Sequence, residues 1–388
     1  MKRIYLDHAA TTPVDYRVVE AMLPCFHEVF GNPSSVHAIG QEARRIVEGV
    51  RSKIASFLAA KIEEIIFTSG GTESDNTAIK GVAQAMKDRG NHIITSSIEH
   101  HAVLETCKYL EKHGFHVTYL KNDKAGLVDP DEVRRAITGK TILISIMHAN
   151  NEIGTIEPIA EIGKIARQRG IFFHTDAVQT FGHLPIDVNE LHVDLLSASA
   201  HKLCGPKGVG ILYVREGTKM VPFMHGGEQE GGRRASTHNV PGIVGLGKAV
   251  ELAKETMGEE AEKLTSLRDK MIRGILEGID DSVLNGHPVK RLPNNINVSL
   301  GYIEGEAIIM YLDREGIACA TGSACTSASM EPSHVLAAIG LTHDFAHGSL
   351  RLTMGRATSE EDIVYVLKVL PVIADKLRSI SPLYKKGR

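Results

Sequence analysis

Residues 171–214 (IFFHTDAVQTFGHLPIDVNELHVDLLSASAHKLCGPKGVGILYV) contain three short, mainly apolar segments, and the first two end in polar residues. Four more segments of this kind precede them: EIIFTSG, HIITSS, HVTYL and TILISIMHA. Most of the seven are continuously apolar, which is typical of strands covered on both faces of a sheet. Helical spacing separates the first five segments at 72–89, 101–113, 129–138 and 158–169. This alternation predicts an α/β fold with a mostly parallel, doubly wound sheet.

The remaining sequence predicts a helix before the sheet and a second, smaller unit after it. A helix around 36–58 precedes the first strand, and a long polar helix at 248–276 follows Pro241. The long helix has one apolar stripe, formed by Leu264, Leu267, Met271 and Ile275. Residues 290–388 have an α+β pattern, with strands in NNINVSL and SLRLTM and helices near 305–315, 332–339 and 359–377. We expect a large domain of residues 15–255 and a small domain of residues 1–14 and 256–388.

Composition and charge exclude several classes of protein. The chain has 388 residues, and 44 Lys and Arg against 47 Asp and Glu give a net charge of −3. This balance provides no electrostatic attraction to nucleic acid or to a membrane surface. The sequence has no apolar run of about 18 residues, and its first residues do not have the pattern of a signal peptide. Five scattered cysteines do not indicate a disulfide framework, so we expect a soluble cytoplasmic protein.

Polar residues follow five of the predicted strands at the point where each strand ends. In an open parallel sheet, the loops at the carboxyl ends of the strands form the ligand crevice. Strand ends are often polar, but a structural protein has no need for so many proton-transferring groups along one edge. We therefore expect a functional crevice formed by residues 69–73, 99–101, 150–152, 176–179 and 199–202.

The segment SGGTES at 69–74 follows a strand and opens a helix. Its backbone amides and the positive end of the helix can hold a phosphate, with Gly71 and Thr72 in the cup and the Thr72 hydroxyl as an added donor. Glycine at a strand–helix turn is also common for steric reasons. The spacing matches neither the ATP-binding loop nor the dinucleotide-binding fingerprint.

Lys202 and Asp176 lie directly after neighbouring apolar strands. An isolated lysine there could be a surface residue, but partial desolvation would lower the pKa of its amine and permit Schiff-base chemistry. A buried carboxylate beside a carbonyl-forming lysine is how proteins hold a protonated pyridinium. The phosphate cup, the carboxylate and the lysine together indicate pyridoxal phosphate.

The histidines of the crevice allow more than one role. His100 could act as a general acid or base or stack on a cofactor ring, whereas we expect His101 to begin a helix and face solvent. The chain has 19 histidines but no HExxH motif, and the spacing of His201 and Cys204 is too common to indicate zinc. We therefore expect no metal site.

Cys325 lies in ATGSACTSASMEPS, where nearly every residue is small or hydroxylic. Such a segment lacks the bulk to anchor itself, so we expect a mobile loop that delivers the thiol. Burial as a small apolar residue is the usual alternative for a free cysteine, and we expect it for Cys25, Cys107, Cys204 and Cys319.

Nine motifs follow one another along the chain: YLDHAATTP, GNPSSVH, TSGGTESDN, IEHHAVLETC, HANNEIGTIEPI, HTDAVQT, SAHKLCGPKG, GGEQEGGRRAST and GSACTSAS. Through them, residues from about 3 to about 378 resemble the cysteine desulfurases of iron–sulfur cluster assembly. These are fold-type I pyridoxal phosphate enzymes of the class V aminotransferase family. The resemblance implies an α/β fold-type I transferase, with a mostly parallel seven-stranded sheet in the large domain and a smaller α+β domain.

The resemblance also implies roles for individual residues in cofactor binding. Lys202 matches the lysine that binds pyridoxal phosphate covalently, Asp176 the aspartate at the pyridine nitrogen, and His100 the histidine stacked on the ring. Further cofactor contacts are implied for Gln179 at the phenolic oxygen and for the phosphate ligands Thr72, Ser199 and His201. Thr237 matches a phosphate ligand that comes from the other protomer, which implies an obligate homodimer.

The implied activity converts L-cysteine to L-alanine and leaves the sulfur on Cys325 as a persulfide. Asn151 and Arg351 match the groups that grip the substrate carboxylate, a task suited to guanidinium. The sulfur would pass to an iron–sulfur scaffold protein or another acceptor. Two alternatives stay open: a related pyridoxal phosphate lyase or aminotransferase, for example one that prefers selenocysteine, and a non-catalytic sulfur-trafficking or scaffold-binding protein.

The chain departs from the family at one position beside the trans phosphate ligand. Where the family usually has Ser-Gly-Thr, this chain has Ala235, Ser236 and Thr237. If the glycine has a positive φ, Ser236 introduces roughly 1 kcal/mol of strain.

Overall fold

The computed structural model describes residues 3–322, 332–382 and 384. Its strands are β1 Ile4–Tyr5, β2 Ile65–Thr68, β3 His92–Ser96, β4 His116–Leu120, β5 Thr141–Ser145, β6 Phe172–Asp176, β7 Leu195–Ser199, β8 Gly210–Val214, β9 Ser282–Leu284, β10 Asn295–Leu300, β11 Ile317–Ala318 and β12 Ser349–Thr353. Its α-helices are α1 Tyr16–Met22, α2 Ala38–Phe57, α3 Gly71–Met86, α4 His101–Glu111, α5 Pro130–Ala136, α6 Ile159–Arg169, α7 Val240–Gly278, α8 Gly305–Arg314, α9 His334–Ala338, α10 His343–Ala346 and α11 Glu360–Ile380. Short 3₁₀ helices occur at Leu23–Phe26, Ile62–Glu64, Ala200–Lys202 and Gln229–Gly232.

A seven-stranded sheet with the order β2-β8-β7-β6-β5-β3-β4 forms the centre of the molecule. Strand β8 runs antiparallel to both of its neighbours, and the other pairs are parallel. Every residue of β2, β3, β5, β7 and β8 is buried, as expected for strands covered on both faces. The predicted α/β fold and its mostly parallel sheet are confirmed.

Alternate residues of the central strands enter two separate apolar cores, because successive side chains of a strand point to opposite faces. Ile94 and Ile144 belong to a core that also contains residues of α2, α6 and the first half of α7. Their neighbours Ile93 and Leu143 belong to a core formed with α3 and α4. The two cores hold the sheet from both sides, so its carboxyl edge is a rigid platform for the loops that follow.

The long helix α7 extends from one of these cores to a further apolar core around a three-stranded antiparallel sheet, β12-β10-β9. The predicted stripe of α7 is confirmed, since Leu264, Leu267, Met271 and Ile275 are all buried against α8, α11 and this small sheet. The N-terminal strand β1 pairs with β11 beside the small sheet.

The domain boundaries at 14/15 and 255/256 stay a prediction. Within the described residues, no helix has both the length and the apolar composition to cross a membrane.

Ser236 has a φ of 99°, in the region that favours glycine. Its segment is held by Glu230, whose buried carboxylate accepts hydrogen bonds from Arg51 at 2.6 and 2.8 Å and from the backbone amide of Phe67 at 2.8 Å. The amide of Ser236 also donates to Oε1 of Gln229 at 3.2 Å. The chain therefore keeps a conformation there that a serine does not favour.

We predict that Ser236→Gly raises the free energy of unfolding by up to about 1 kcal/mol, because glycine relieves the positive-φ strain at the cost of a more flexible unfolded chain. Ser34→Gly is the matched control, because Ser34 is exposed in a turn and is not a positive-φ residue. Urea unfolding of both variants measures the difference. Equal destabilisation by both substitutions would contradict the strain at Ser236.

Candidate active site

A cavity of about 430 Å³ lies at the carboxyl ends of the central strands. Two larger depressions elsewhere contain none of the residues predicted for the site. The smaller cavity is lined by nearly all of the predicted residues: Gly71, Thr72, His100, Asn151, Asp176, Gln179, Ser199, His201, Lys202 and Arg351. The parallel sheet thus brings together side chains that are far apart in the sequence.

Lys202 ends the short 3₁₀ helix that directly follows β7. Its Nζ donates to the backbone carbonyl oxygen of Ala9 and, at 2.9 Å, to that of Ala10. The side-chain amide of Gln179 donates to the same Ala9 carbonyl at 3.1 Å. The N-terminal segment therefore holds the amine of Lys202 at the cavity wall.

Asp176 is the last residue of β6 and is almost completely buried. Burial raises the pKa of its carboxyl group to about 6, although a hydrogen bond from the backbone amide of Val178 and the charge of Lys202 both act in the opposite direction. The Val178 amide donates to Oδ1 at 2.8 Å. The cavity thus has a buried acid at one wall and a lysine amine nearby.

The first turn of α3 forms the opposite end of the cavity. The residue before the helix, Gly70, has no side chain to cap it, so the first backbone amides are available for an anion. A Cβ on Gly71 would lie 2.5 Å from Cγ2 of Val178, so the close approach of helix and loop requires a glycine there. Thr72, Ser199 and His201 line the same end of the cavity.

His100 is the N-cap of α4, and its Nδ1 accepts a hydrogen bond from the backbone amide of Ala102 at 3.1 Å. Burial, with the charge of Lys202 as a smaller cause, lowers the pKa of His100 to about 4. Its ring is therefore neutral at pH 7, with the remaining proton on Nε2. The expectation that His101 faces solvent is wrong, because His101 lines the cavity and its ring centroid lies 4.8 Å from that of His334.

Arg351 reaches the cavity from β12 of the small sheet. Its Nη2 lies 2.9 Å from Oδ1 of Asp7, and its Nη1 donates to the backbone oxygen of Asn151 at 3.2 Å. Its Nε is buried and has no hydrogen-bond partner among the described residues. A guanidinium fixed on one side and unsatisfied on the other suits an incoming carboxylate.

Three buried or partly buried acids at this site are not among the sequence-predicted residues. Asp7 belongs to the YLDHAATTP motif and pairs with Arg351, and Asp75 follows the phosphate cup by one helical turn. Glu152 lines the cavity, accepts a hydrogen bond from the hydroxyl of Ser333, and has its pKa raised to about 7 by burial. Glu152 was within a predicted strand end, so that pattern could have identified it.

One predicted residue lies in a different cavity, and another lies outside the described residues. Thr237 lines a separate cavity of about 220 Å³, together with Ser69, Arg234 and Ser236. Cys325 lies outside the described residues. Among the described cysteines, Cys25 and Cys107 are buried as predicted, whereas Cys204 and Cys319 are only partly buried.

The family model of the class-V aminotransferases matches residues 4–366. This chain belongs to the class V aminotransferase family. It is 60% identical over 387 residues to cysteine desulfurase IscS of Dictyoglomus turgidum. The alignment covers 100% of this chain and 98% of that relative. It is 58% identical over 385 residues to cysteine desulfurase IscS of Methanosarcina thermophila, in an alignment that covers 99% of this chain and 95% of that relative.

Solved structures of the same family have the same fold. A NifS-like protein has a TM-score of 0.91 at 40% identity and covers 97% of this chain and 100% of its own. A structure of SspA in complex with cysteine has a TM-score of 0.80 at 40% identity, and the match covers 91% of this chain and 99% of the SspA chain. The fold-type I architecture expected from the sequence is therefore confirmed, and the cofactor of this family member is pyridoxal 5′-phosphate.

The described residues fit that cofactor. Asp176 offers a buried carboxyl group for the pyridine nitrogen, and Lys202 offers an amine for the aldehyde carbon. The uncapped first turn of α3 offers backbone amides and positive partial charge for the phosphate. A carboxylate oxygen of Asp75, a carboxylate oxygen of Asp176 and a ring nitrogen of His100 lie within 4.8 Å of one another.

We predict that Asp176→Asn stabilises the cofactor-free protein above pH 6 but not below pH 4. The folded state raises the pKa of Asp176 from 3.8 to about 6, so it keeps a proton that the unfolded chain has released, and stability falls as pH rises through this window. At pH 7, replacing the titrating carboxyl group by an amide should raise the free energy of unfolding by an amount on the order of 2 kcal/mol. Urea unfolding from pH 4 to 8 measures the effect, and the exposed Asp88→Asn is the control. The same gain at every pH would contradict this origin.

Proposed function

We propose that this protein is a cysteine desulfurase that converts L-cysteine to L-alanine and transfers the sulfur to Cys325 as a persulfide. The observation that carries the proposal is the unsatisfied guanidinium of Arg351 in the same cavity as Lys202 and Asp176. The full-length similarity to cysteine desulfurases supports it. The persulfide supplies sulfur for iron–sulfur clusters or other thio-cofactors.

The substrate carboxylate binds at the Arg351 end of the cavity. Arg351 is 3% exposed and is already oriented by Asp7 and by the backbone of Asn151, so little ordering is required when a substrate arrives. The guanidinium of Arg351 donates to one carboxylate oxygen, and the side chain of Asn151 provides a second polar contact. The amino group then lies on the Lys202 side of the cavity.

Proton transfer at the substrate falls to Lys202 and His100, two of the basic residues that line the cavity. Bound pyridoxal phosphate supplies an electron sink for the α-carbon of the substrate. Lys202 is held by the carbonyl oxygens of Ala9 and Ala10, which keep its amine near this carbon. The neutral ring of His100 can stack on the cofactor and accept or donate a proton.

Sulfur transfer requires a thiolate that attacks the substrate sulfur. The thiolate of Cys325 forms the new S–S bond as the C–S bond of the substrate breaks, and the electron pair of that bond stays on carbon and takes up a proton. L-Cysteine and one enzyme thiol thus give L-alanine and one enzyme persulfide, without an external oxidant or reductant.

The phosphate end of the site is completed by a second protomer. Thr237 lies in a cavity separate from Lys202 in the same chain, which supports its proposed role as a phosphate ligand of the other protomer. The enzyme is then an obligate homodimer in the cytoplasm, and an iron–sulfur scaffold or another acceptor takes the sulfur.

A selenocysteine-preferring lyase is the second candidate, and the SspA structure with bound cysteine favours the sulfur substrate.

We predict that Cys325→Ala keeps the absorbance of the bound cofactor but forms no persulfide. Alanine formation from L-cysteine should fall at least about a hundredfold, because the sulfur has lost its acceptor. Cys319→Ala is the matched control, because Cys319 does not line the described cavity. Alanine and protein-bound sulfur are measured for both variants, with selenocysteine as a parallel substrate. Normal sulfur release by Cys325→Ala would refute the assignment.

We predict that hybrid dimers of Lys202→Ala and Thr237→Ala regain activity that neither homodimer has. If Thr237 acts in trans, each hybrid has one intact site and about half of the activity of a wild-type dimer. The two chains are purified together through different affinity tags, and alanine formation is compared with that of the two homodimers. Hybrids no more active than the average of the homodimers would place Thr237 at its own chain's site.

A further inference from the structure

Asp75 is a buried acid that the proposed reaction does not use. It lies in the first turns of α3, is 1% exposed, and its Oδ1 has no hydrogen-bond partner among the described residues. One of its carboxylate oxygens lies within 4.8 Å of a carboxylate oxygen of Asp176 and of a ring nitrogen of His100. The site therefore has two buried carboxyl groups at the same wall.

We propose that Asp75 is a positioning residue that holds the one proton shared by these two buried carboxyl groups, so that Asp176 keeps the negative charge directed at the cofactor. The inference rests on the proposed function. Two carboxyl groups this close in a buried site do not both ionise, and their protons leave in two steps that belong to the pair.

The groups around the pair decide which carboxyl group carries the charge. Lys202 interacts favourably with an ionised Asp176, and the amide of Val178 donates to it. Asp75 is contacted by the hydroxyl of Ser197, which acts against the larger effect of burial, while the charges of Asp176 and Glu99 act in the same direction as burial. The pKa of Asp75 is therefore raised by burial and by the charge of Asp176, well above its usual range.

The other titratable groups near Asp75 do not supply a positive charge. His174 has its Nε2 3.6 Å from Oδ1 of Asp75, but its ring binds the hydroxyls of Ser145 and Ser197, and burial lowers its pKa to about 3. Burial likewise lowers the pKa of His100 to about 4. Glu99 is completely buried, and burial raises its pKa well above the usual range. These neighbours therefore provide no positive charge that would favour an ionised Asp75 beside the charged Asp176.

Protonation of Asp75 has a direct consequence for the cofactor site. A second negative charge at this distance would raise the pKa of Asp176 and favour its neutral form, which cannot hold a pyridinium. Asparagine at position 75 imitates the protonated acid, whereas leucine removes the polar group. The two substitutions therefore separate the role of a neutral polar group from the role of a charge.

The test compares Asp75→Asn and Asp75→Leu with wild type. Thr77→Val is the control, because Thr77 is a buried residue of the same helix and its hydroxyl also has no hydrogen-bond partner among the described residues. In cofactor-free wild type between about pH 6.5 and 8.5, the free energy of unfolding should fall with pH, because the folded state holds one proton that the unfolded chain has released. Asp75→Asn should remove the part of this slope that corresponds to about one proton. The infrared absorption of protonated carboxyl groups should be weaker in Asp75→Asn than in wild type by the contribution of one group, because other buried acids such as Glu99 keep their protons in both proteins. Asp75→Leu should bind pyridoxal phosphate at least about tenfold more weakly than Asp75→Asn.

An unchanged pH slope together with an unchanged carboxyl absorption in Asp75→Asn would overturn the proposal, because Asp75 would then be ionised in wild type. A uniform loss of stability at all pH values in Asp75→Asn would assign it a packing role only. Equal cofactor affinity of the leucine and asparagine variants would overturn the positioning role. Wild-type alanine formation from L-cysteine is measured separately, so failure of the proposed function is distinguishable from failure of this inference.

Discussion

The site depends on keeping a negative charge on a carboxyl group that burial opposes. Asp176 is almost completely buried, and burial alone favours its neutral form. The amine of Lys202 and the amide of Val178 act against burial, and both come from the segments that directly follow neighbouring strands. The chemistry proposed for this cavity therefore requires the two strand ends to stay at a fixed separation.

The sheet provides that fixed separation. Strands β6 and β7 are parallel neighbours, with Asp176 opposite Ser197, so the 3₁₀ helix with Lys202 begins three residues after Ser197. Apolar cores cover both faces of these strands, and a shift of register by one residue would turn every buried side chain to the other face. The packing energy of the cores thus also fixes the geometry of the acid and the amine.

The sequence predicted the parts of the molecule whose determinants are local. All seven strands were predicted because each is a short apolar run, and Gly71, Asp176 and Lys202 were predicted because each directly follows such a run. The strain at Ser236 was expected from the family resemblance, which usually has a glycine at this position, and the structure gives Ser236 a positive φ. Local pattern was therefore sufficient for the sheet and for most of the cavity wall.

Residues whose role depends on a distant contact could not be predicted in this way. The sequence places His101 on a helix, but only the packing of α9 brings His334 to its ring and turns it toward the cavity. Asp7 follows the strand β1 and meets Arg351 on β12 because both strand regions pair beside the small sheet, with Asp7 bridged to Thr353. The carboxylate grip thus joins the two ends of the chain, so the orientation of Arg351 depends on the folding of the small sheet as well as on the large one.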